Sequence, residues 1–271
     1  MTNDKFERIE KKFWMTEHQY RQLEKTLSEH MEPDQYGKSL IRNIYCDTDD
    51  YALTRRSIER PLFKEKLRIR SYSGFEQDSK VFVEIKRKVK EVGYKRRIEV
   101  PFSQAMLLLS GQETDCGNPQ IEKEIYEFIR RYRPKPKVYL TYERVAMTGK
   151  NDPDLRITFD RNIKYREYED GFDFTKDGAC AIDEKSKVLM EVKAHGGMPP
   201  WLINELSRLQ IYHCSFSKIG TCFTLHIAPE LKFGCIAPVV PADRKTAPVS
   251  DFTKHPRFNF MSRKHKNAIS A

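Results

Sequence analysis

Four cations occupy alternate positions in the stretch Phe63–Tyr72: Lys64, Lys66, Arg68 and Arg70. A period of two is the period of a strand, so all four side chains share one face, opposite Phe63, Leu67 and Ile69. The pattern recurs. Glu84, Lys86 and Lys88 lie opposite Val81, Val83 and Ile85, and Arg156, Thr158 and Asp160 lie opposite Leu155, Ile157 and Phe159. Glu191 and Lys193 lie opposite Met190 and Val192, and Arg8, Glu10 and Lys12 alternate near the N-terminus. Arg144 and Lys218 each interrupt an otherwise apolar or aromatic run.

For any one strand, a solvated outer face is the plainer reading. Several cationic strands in succession are different, because like charges on neighbouring strands repel. A fold keeps such rows where something anionic lies between them. If the face turns inward, it makes a cationic tunnel. Arginine forks and lysine ammoniums would hold phosphoryl oxygens there. The few carboxylates would hold a divalent cation bridging phosphate oxygens.

The elements that must position these residues are mostly strands. Period-two windows run over Ile41–Thr48, Phe63–Tyr72, Lys80–Lys88, Tyr94–Phe102, Lys137–Met147, Leu155–Ile163, Lys187–Ala194 and Phe216–Phe223. Ser73-Gly74, Asp170-Gly171 and Asp177-Gly178 mark turns between them. Helices are fewer. Thr16 and Gln19 form a capping-box pattern before Tyr20, Leu23, Leu27 and Met31, and Pro33 ends that run. Asn118-Pro119 starts a second helix with an Ile121, Ile125, Phe128, Ile129 stripe. A third begins near Pro199-Pro200, and a short one covers Ser103–Leu109. The expected architecture is α+β: an antiparallel β tunnel barrel with flanking helices.

The chain has 271 residues, 39% hydrophobic and 32% charged, which suits a globular protein with an unusually charged surface or cavity. Its formal net charge of +10 points to a polyanionic partner. Residues 242–271 hold seven Lys/Arg and two Asp, so this segment carries half of that excess. With Pro241, Pro248 and Pro256 and little apolar periodicity, 228–271 reads as a basic, flexible tail after a body spanning 1–227. The six cysteines show no CxxC spacing, so reduced thiols in a cytoplasm are expected. No run of about 18 apolar residues is present, so the chain has no membrane span of its own.

The ordered stretches "RIEKKFW", "IRNIYCDTDDY", "FKEKLRIRSY", "VFVEIKRK", "YERVAM", "LRITFD", "VLMEVK" and "FSKIG" resemble the polyphosphate-polymerase domain of the vacuolar transporter chaperone (VTC) family. That family lies within the triphosphate tunnel metalloenzymes, or CYTH superfamily. The resemblance covers about Lys5 to Phe223. It implies an ATP-dependent enzyme that adds the γ-phosphoryl to polyphosphate with Mn²⁺ or Mg²⁺. The residues it implies are Arg68, Arg70, Arg144 and Arg156 on the reacting triphosphate. Lys12, Lys86 and Lys218 would bind flanking phosphates, Lys193 joins them by sharing the face of Glu191, and Arg8 would extend that binding to a longer polyanion. Glu191 is the implied metal ligand, with Glu10 or Glu84 as helpers, and one of Lys95, Arg96 and Arg97 also faces the tunnel.

Two rivals share that tunnel. Hydrolytic members of the superfamily begin with a Glu-x-Glu-x-Lys strand, where this chain has Arg8, Glu10 and Lys12. Losing one early carboxylate argues against activation of an attacking water. The other rival is a non-catalytic polyphosphate sensor. Nucleic acid is not an expected partner, since the aromatics form no stacking set. Coupling to transport would need a separate membrane partner. Asp47, Asp49 and Asp50 read as a turn and helix cap rather than a metal site. Trp14 and Trp201 read as packing residues, His195 as a loop histidine, and Cys46 and Cys222 as buried strand thiols.

Overall fold

The computed structural model describes residues 8–231, apart from 60, 91, 113, 115, 170–171 and 182–186 and the side chain of residue 8. From residue 232 onward the expected basic tail lies outside the described residues.

Local signals start most of the helices. The Thr16 hydroxyl accepts from the Gln19 N–H at 3.1 Å, and the Gln19 side chain accepts from the Thr16 N–H at 2.8 Å. This reciprocal cap starts α1 (Glu17–His30), which buries Leu23 and Leu27. The helix stops before Pro33, because the backbone is already extended at Met31. The Asn118 carboxamide caps α4 (Pro119–Tyr132), which buries Ile125, Phe128 and Ile129. α3 (Phe102–Leu109) and α5 (Pro200–Arg208) fall where their sequence signals place them. An additional helix, α2 (Ala52–Ile58), follows the acidic turn. The Asp47 carboxylate accepts from the Leu53 and Thr54 N–H groups, both at 2.9 Å, so it acts as a cap.

The strands are β1 (Arg8–Thr16), β2 (Met31–Asp47), β3 (Phe63–Ser71), β4 (Lys80–Val89) and β5 (Val92–Pro101). Then come β6 (Lys135–Gly149), β7 (Arg156–Glu167), β8 (Ala179–Cys180), β9 (Lys187–His195) and β10 (His213–Cys214). They form one antiparallel sheet in the order β10-β1-β9-β7-β6-β2-β3-β4-β5, with β8 pairing β7. The expected closed barrel is therefore not closed by hydrogen bonds: among the described residues, β5 and β10 end the path.

The sheet nevertheless curls. β9, β7, β6, β2 and β3 separate β1 from β4. In a flat sheet that spacing would be about 29 Å. Yet Lys86 of β4 feels the charges of Lys193 of β9 and Glu10 of β1, and Lys66 of β3 feels Lys12 of β1. The charged face is the concave one.

The convex face carries two apolar layers. Leu67, Ile69, Val83 and Ile85 pack with Ile125 and Phe128 of α4. Phe13, Ile157, Met190 and Val192 pack with Leu23 and Leu27 of α1 and Leu202 and Leu206 of α5.

The stretch Phe216–Phe223 is not a strand. It contains α6 (Lys218–Cys222), which runs into a π-helical turn at Phe223–Ile227. The Ser217 hydroxyl accepts from the Gly220 N–H at 3.2 Å and starts the helix. Ile219, Cys222, Phe223 and Ile227 fall at spacings of three, one and four, a helical stripe. They pack on Ile41, Val138, Leu140 and Leu189, covering one end of the concave face.

Candidate phosphate-binding site

The strand pairing stacks the charged rows in register. Arg68 lies opposite Glu84 and Lys66 opposite Lys86. On the other side, Arg144 lies opposite Asp160, Thr158 opposite Glu191 and Lys12 opposite Glu191. Cross-strand neighbours point to the same face, so these groups line one cavity.

Each carboxylate in the cavity is held by cations. Glu84 accepts from Arg68 Nε at 2.6 Å and lies 2.7 Å from Lys95 Nζ. Burial opposes its ionisation, but Arg68, Arg70 and Lys95 hold its carboxyl down at about 2. Asp160 accepts twice from Arg144, at 2.6 and 2.8 Å, and from Lys218 Nζ at 2.6 Å. Burial opposes that charge too, and Lys218 and Arg144 keep the carboxyl below its usual range. Glu191 lies 2.7 Å from Lys193 and 3.9 Å from Lys12, which outweigh burial and hold it well below the usual range. Glu10 lies 3.3 Å from the same Lys12.

Three cations have no carboxylate partner among the described residues. Arg70 donates to Asn43 Oδ1 at 3.0 Å and to the Tyr142 hydroxyl at 2.9 Å, both neutral acceptors. Lys66 donates to Ser217 Oγ at 3.0 Å. Burial, then Lys64, Lys12 and Arg68, lower its pKa to about 8. Among the described residues the Lys86 side chain has neither a hydrogen bond nor an ion pair, and Arg68, burial and Lys193 push it well below the ordinary lysine value. Its side chain is exposed to solvent, at the open side of the charged face, with the Arg68, Lys193 and Arg70 charges around it. Cations in this state gain most from a polyanion.

The structure brings together Lys12, Arg68, Arg70, Glu84, Lys86, Arg144, Glu191, Lys193 and Lys218, as the alternation implied. Lys218 arrives there from the first turn of α6 rather than from a strand. Arg156 stands at the rim, 3.0 Å from Asp34. Arg8 opens β1 opposite His195, and its side chain lies outside the described residues. Of the trio on β5, Lys95 and Arg97 face the cavity beside Glu84, while Arg96 turns to Glu124 on the convex side.

Lys66, Asp160, Asn43 and Tyr142 are not among the residues that the family resemblance implies. Lys66 and Asp160 were within reach, since both continue an alternating row. Asn43 and Tyr142 carry no such signal. Their importance comes from contact with Arg70 and, for the Tyr142 ring, from Lys218 4.4 Å and Arg144 5.2 Å from its centroid. Burial raises the Tyr142 pKa, but Arg70, Arg144 and Lys218 outweigh it and leave the hydroxyl below its ordinary value.

Among the described residues no three His, Cys, Asp or Glu side chains form a ready-made metal cluster. The donors suit an ion that arrives with phosphate, because Mg²⁺-type sites use one or two carboxylates plus phosphate oxygens. Lys193 and Lys12 favour the charged form of Glu191, and the buried hydroxyl of its cross-strand neighbour Thr158 has no hydrogen-bond partner among the described residues. Glu10 shares Lys12 with Glu191. Glu84 has two close cations, Arg68 at 2.6 Å and Lys95 at 2.7 Å, whereas Glu191 has one, Lys193 at 2.7 Å, and Glu10 lies 3.3 Å from Lys12, so Glu191 and Glu10 are the less committed pair.

A curled antiparallel sheet with helices on its convex face and a cationic concave face defines an α+β, tunnel-like phosphate-binding domain. The chain belongs to the VTC domain family, whose model matches residues 7–226. No curated protein matches it. Among solved structures it is similar to a provisionally named adenylate cyclase from Bacillus halodurans, at 15% identity and a TM-score of 0.47. That match covers 78% of this chain and 93% of the other. A second provisionally named adenylate cyclase, from Vibrio parahaemolyticus, matches at 12% identity and a TM-score of 0.42, covering 80% and 97% of the two chains. The family and the site support a function on triphosphate or polyphosphate. No described helix is long and apolar enough to cross a membrane.

Proposed function

We propose that the protein is a polyphosphate polymerase that transfers the γ-phosphoryl of ATP to the end of a polyphosphate chain. The observation that carries this reading is the division of charge in the cavity. Every described carboxylate there is paired with a cation, whereas Lys66, Arg70 and Lys86 are left for an anion. Carboxylates held below their usual range are poor general bases for activating water. An acceptor phosphate needs none, because its terminal oxygen is already ionised. That oxygen bonds to the γ-phosphorus, the bond to the β-phosphate oxygen breaks, and ADP leaves.

Phosphoryl transfer depends mainly on alignment and charge neutralisation. Arg68, Arg70, Arg144 and Arg156 would hold the triphosphate and spread charge from its equatorial oxygens. Lys12, Lys86, Lys193 and Lys218 would bind the flanking phosphates, and Arg8 would extend that track. Glu191 and Glu10 would hold Mn²⁺ or Mg²⁺, which supplies further neutralisation of phosphate oxygens when bound. The same reading places ATP and polyphosphate as the partners, in a cytoplasmic setting, with a separate membrane protein for any transport.

The test is incubation with ATP and Mn²⁺ followed by a polyphosphate gel, with wild type and Glu191→Gln in parallel. Polymer from the wild type alone supports the proposal. Inorganic phosphate without polymer would assign a triphosphatase. Tight polyphosphate binding by both proteins, with no turnover, would assign a sensor.

A further inference from the structure

We infer that Asp34 is a positioning residue for Arg156, built into a bulge of β2 at the rim of the cavity. The inference rests on the reading of the concave face as a phosphate site. β2 pairs β6 from Met31 to Pro33 and again from Lys38 onward, with Pro33 opposite Met147 and Lys38 opposite Val145. Asp34, Gln35, Tyr36 and Gly37 are thus looped out opposite the single residue Ala146. Such bulges re-aim side chains at the edges of sites.

The loop is organised around one carboxylate. Asp34 Oδ1 accepts from the Tyr36 N–H at 2.9 Å and from the Gly37 N–H at 3.0 Å. Gly37 has φ +50°, a left-handed conformation that glycine adopts without a side-chain clash. The other oxygen, Oδ2, accepts from Arg156 Nη2 at 3.0 Å. The Asp34 side chain is only 5% exposed, whereas that of Arg156 is 44% exposed. The buried, backbone-tied partner is the fixed one, and the arginine is aimed by it.

Arg156 lies opposite Thr148 and Lys193 in the sheet, on the row that continues to Thr158 and Asp160. A guanidinium has five N–H donors in a rigid fork. Asp34 engages Nη2, and the Arg156 side chain makes no other hydrogen bond among the described residues. Nε and Nη1 therefore remain to donate to a phosphate at the rim. Without the tether, a long, half-exposed arginine samples many rotamers, and ordering it opposes ligand binding.

Asparagine at position 34 separates the two jobs. It keeps an oxygen acceptor for the Tyr36 and Gly37 N–H groups but presents an NH₂ group, or a single shared oxygen, to Arg156. Binding of inorganic triphosphate, measured by calorimetry without turnover, is compared for wild type, Asp34→Asn, Arg156→Ala and the double variant. Expected are a loss of tenfold or more for Arg156→Ala, three- to tenfold for Asp34→Asn, and no further loss when Asp34→Asn is added to Arg156→Ala. Unchanged affinity in Arg156→Ala would remove Arg156 from the phosphate site. A normal loss in Arg156→Ala with unchanged or tighter binding in Asp34→Asn would overturn the positioning role alone. Additive losses in the double variant would also overturn it, because Asp34 would then act independently of Arg156.

Discussion

Asp160→Asn removes the anion at the centre of the best-defined cation pair in the cavity. Asp160 is buried, and it receives two hydrogen bonds from Arg144 and one from Lys218. Asparagine keeps the shape but removes the charge and offers donors where donors already crowd. Breaking a buried ion pair from one side costs about 3–5 kcal/mol, because the remaining charges stay buried without compensation. For a folded unit of this size each kcal/mol shifts the melting point by about 2–4 °C. The variant should therefore melt roughly 6–20 °C below wild type at neutral pH. The assay is calorimetric melting with and without inorganic triphosphate. Added polyanion should recover more stability in the variant than in wild type, since it supplies the missing negative charge.

The pH dependence has a fixed sign. Asp160 is held below its ordinary value, so its contribution is complete above the unfolded carboxylate pKa of about 3.9 and is lost as pH falls toward the lowered folded value. The gap between wild type and variant should close in acid. A variant melting within about 2 °C of wild type at pH 7 would refute the reasoning, because Arg144 and Lys218 would then be compensated by solvent.

The Lys66 pKa of about 8 makes two further predictions. In the free protein the folded state loses this proton near pH 8 while the unfolded state keeps it to about 10.4, so stability should rise through that window. Lys66→Met should abolish that rise in pH-dependent melting and should not be less stable than wild type at pH 7. Triphosphate affinity should weaken from pH 7 to pH 9 in wild type and change less in the variant; a flat wild-type titration would contradict the assignment. Tyr142→Phe keeps the ring beneath Lys218 but removes an acceptor from Arg70, and should cost about 1.5–3 kcal/mol in urea denaturation. Asn43 alone suffices to hold Arg70 if that variant is as stable as wild type.

Which residues share a face was legible because alternation is a local property of extended backbone. The grouping of Lys64, Lys66, Arg68 and Arg70, or of Glu191 with Lys193, needs no tertiary information. The same holds for the Thr16 and Asn118 caps, which satisfy N–H groups three residues away. The stretch around Lys218 suits both periods over its few residues, so alternation suggests a strand where the chain forms a helix. The stripe Ile219, Cys222, Phe223 and Ile227 becomes clear only when the window extends past Phe223.

By itself the sequence determined the VTC-like order of motifs, the strand faces and an excess of cations on one of them. The tertiary structure decided which cations remain available. Lys218 meets Asp160 across 58 residues of chain, and Arg156 meets Asp34 across 122. Both arginines of β3 look equivalent in sequence, yet Arg68 is neutralised by Glu84 while Arg70 rests on Asn43 and Tyr142. Charge compensation depends on distances of a few ångströms between strands, and curling of the sheet sets those distances. The stretch "RIEKKFW" shows both halves of the matter. Its alternation put Glu10 and Lys12 on one face, and only the fold set Lys12 between Glu10 and Glu191.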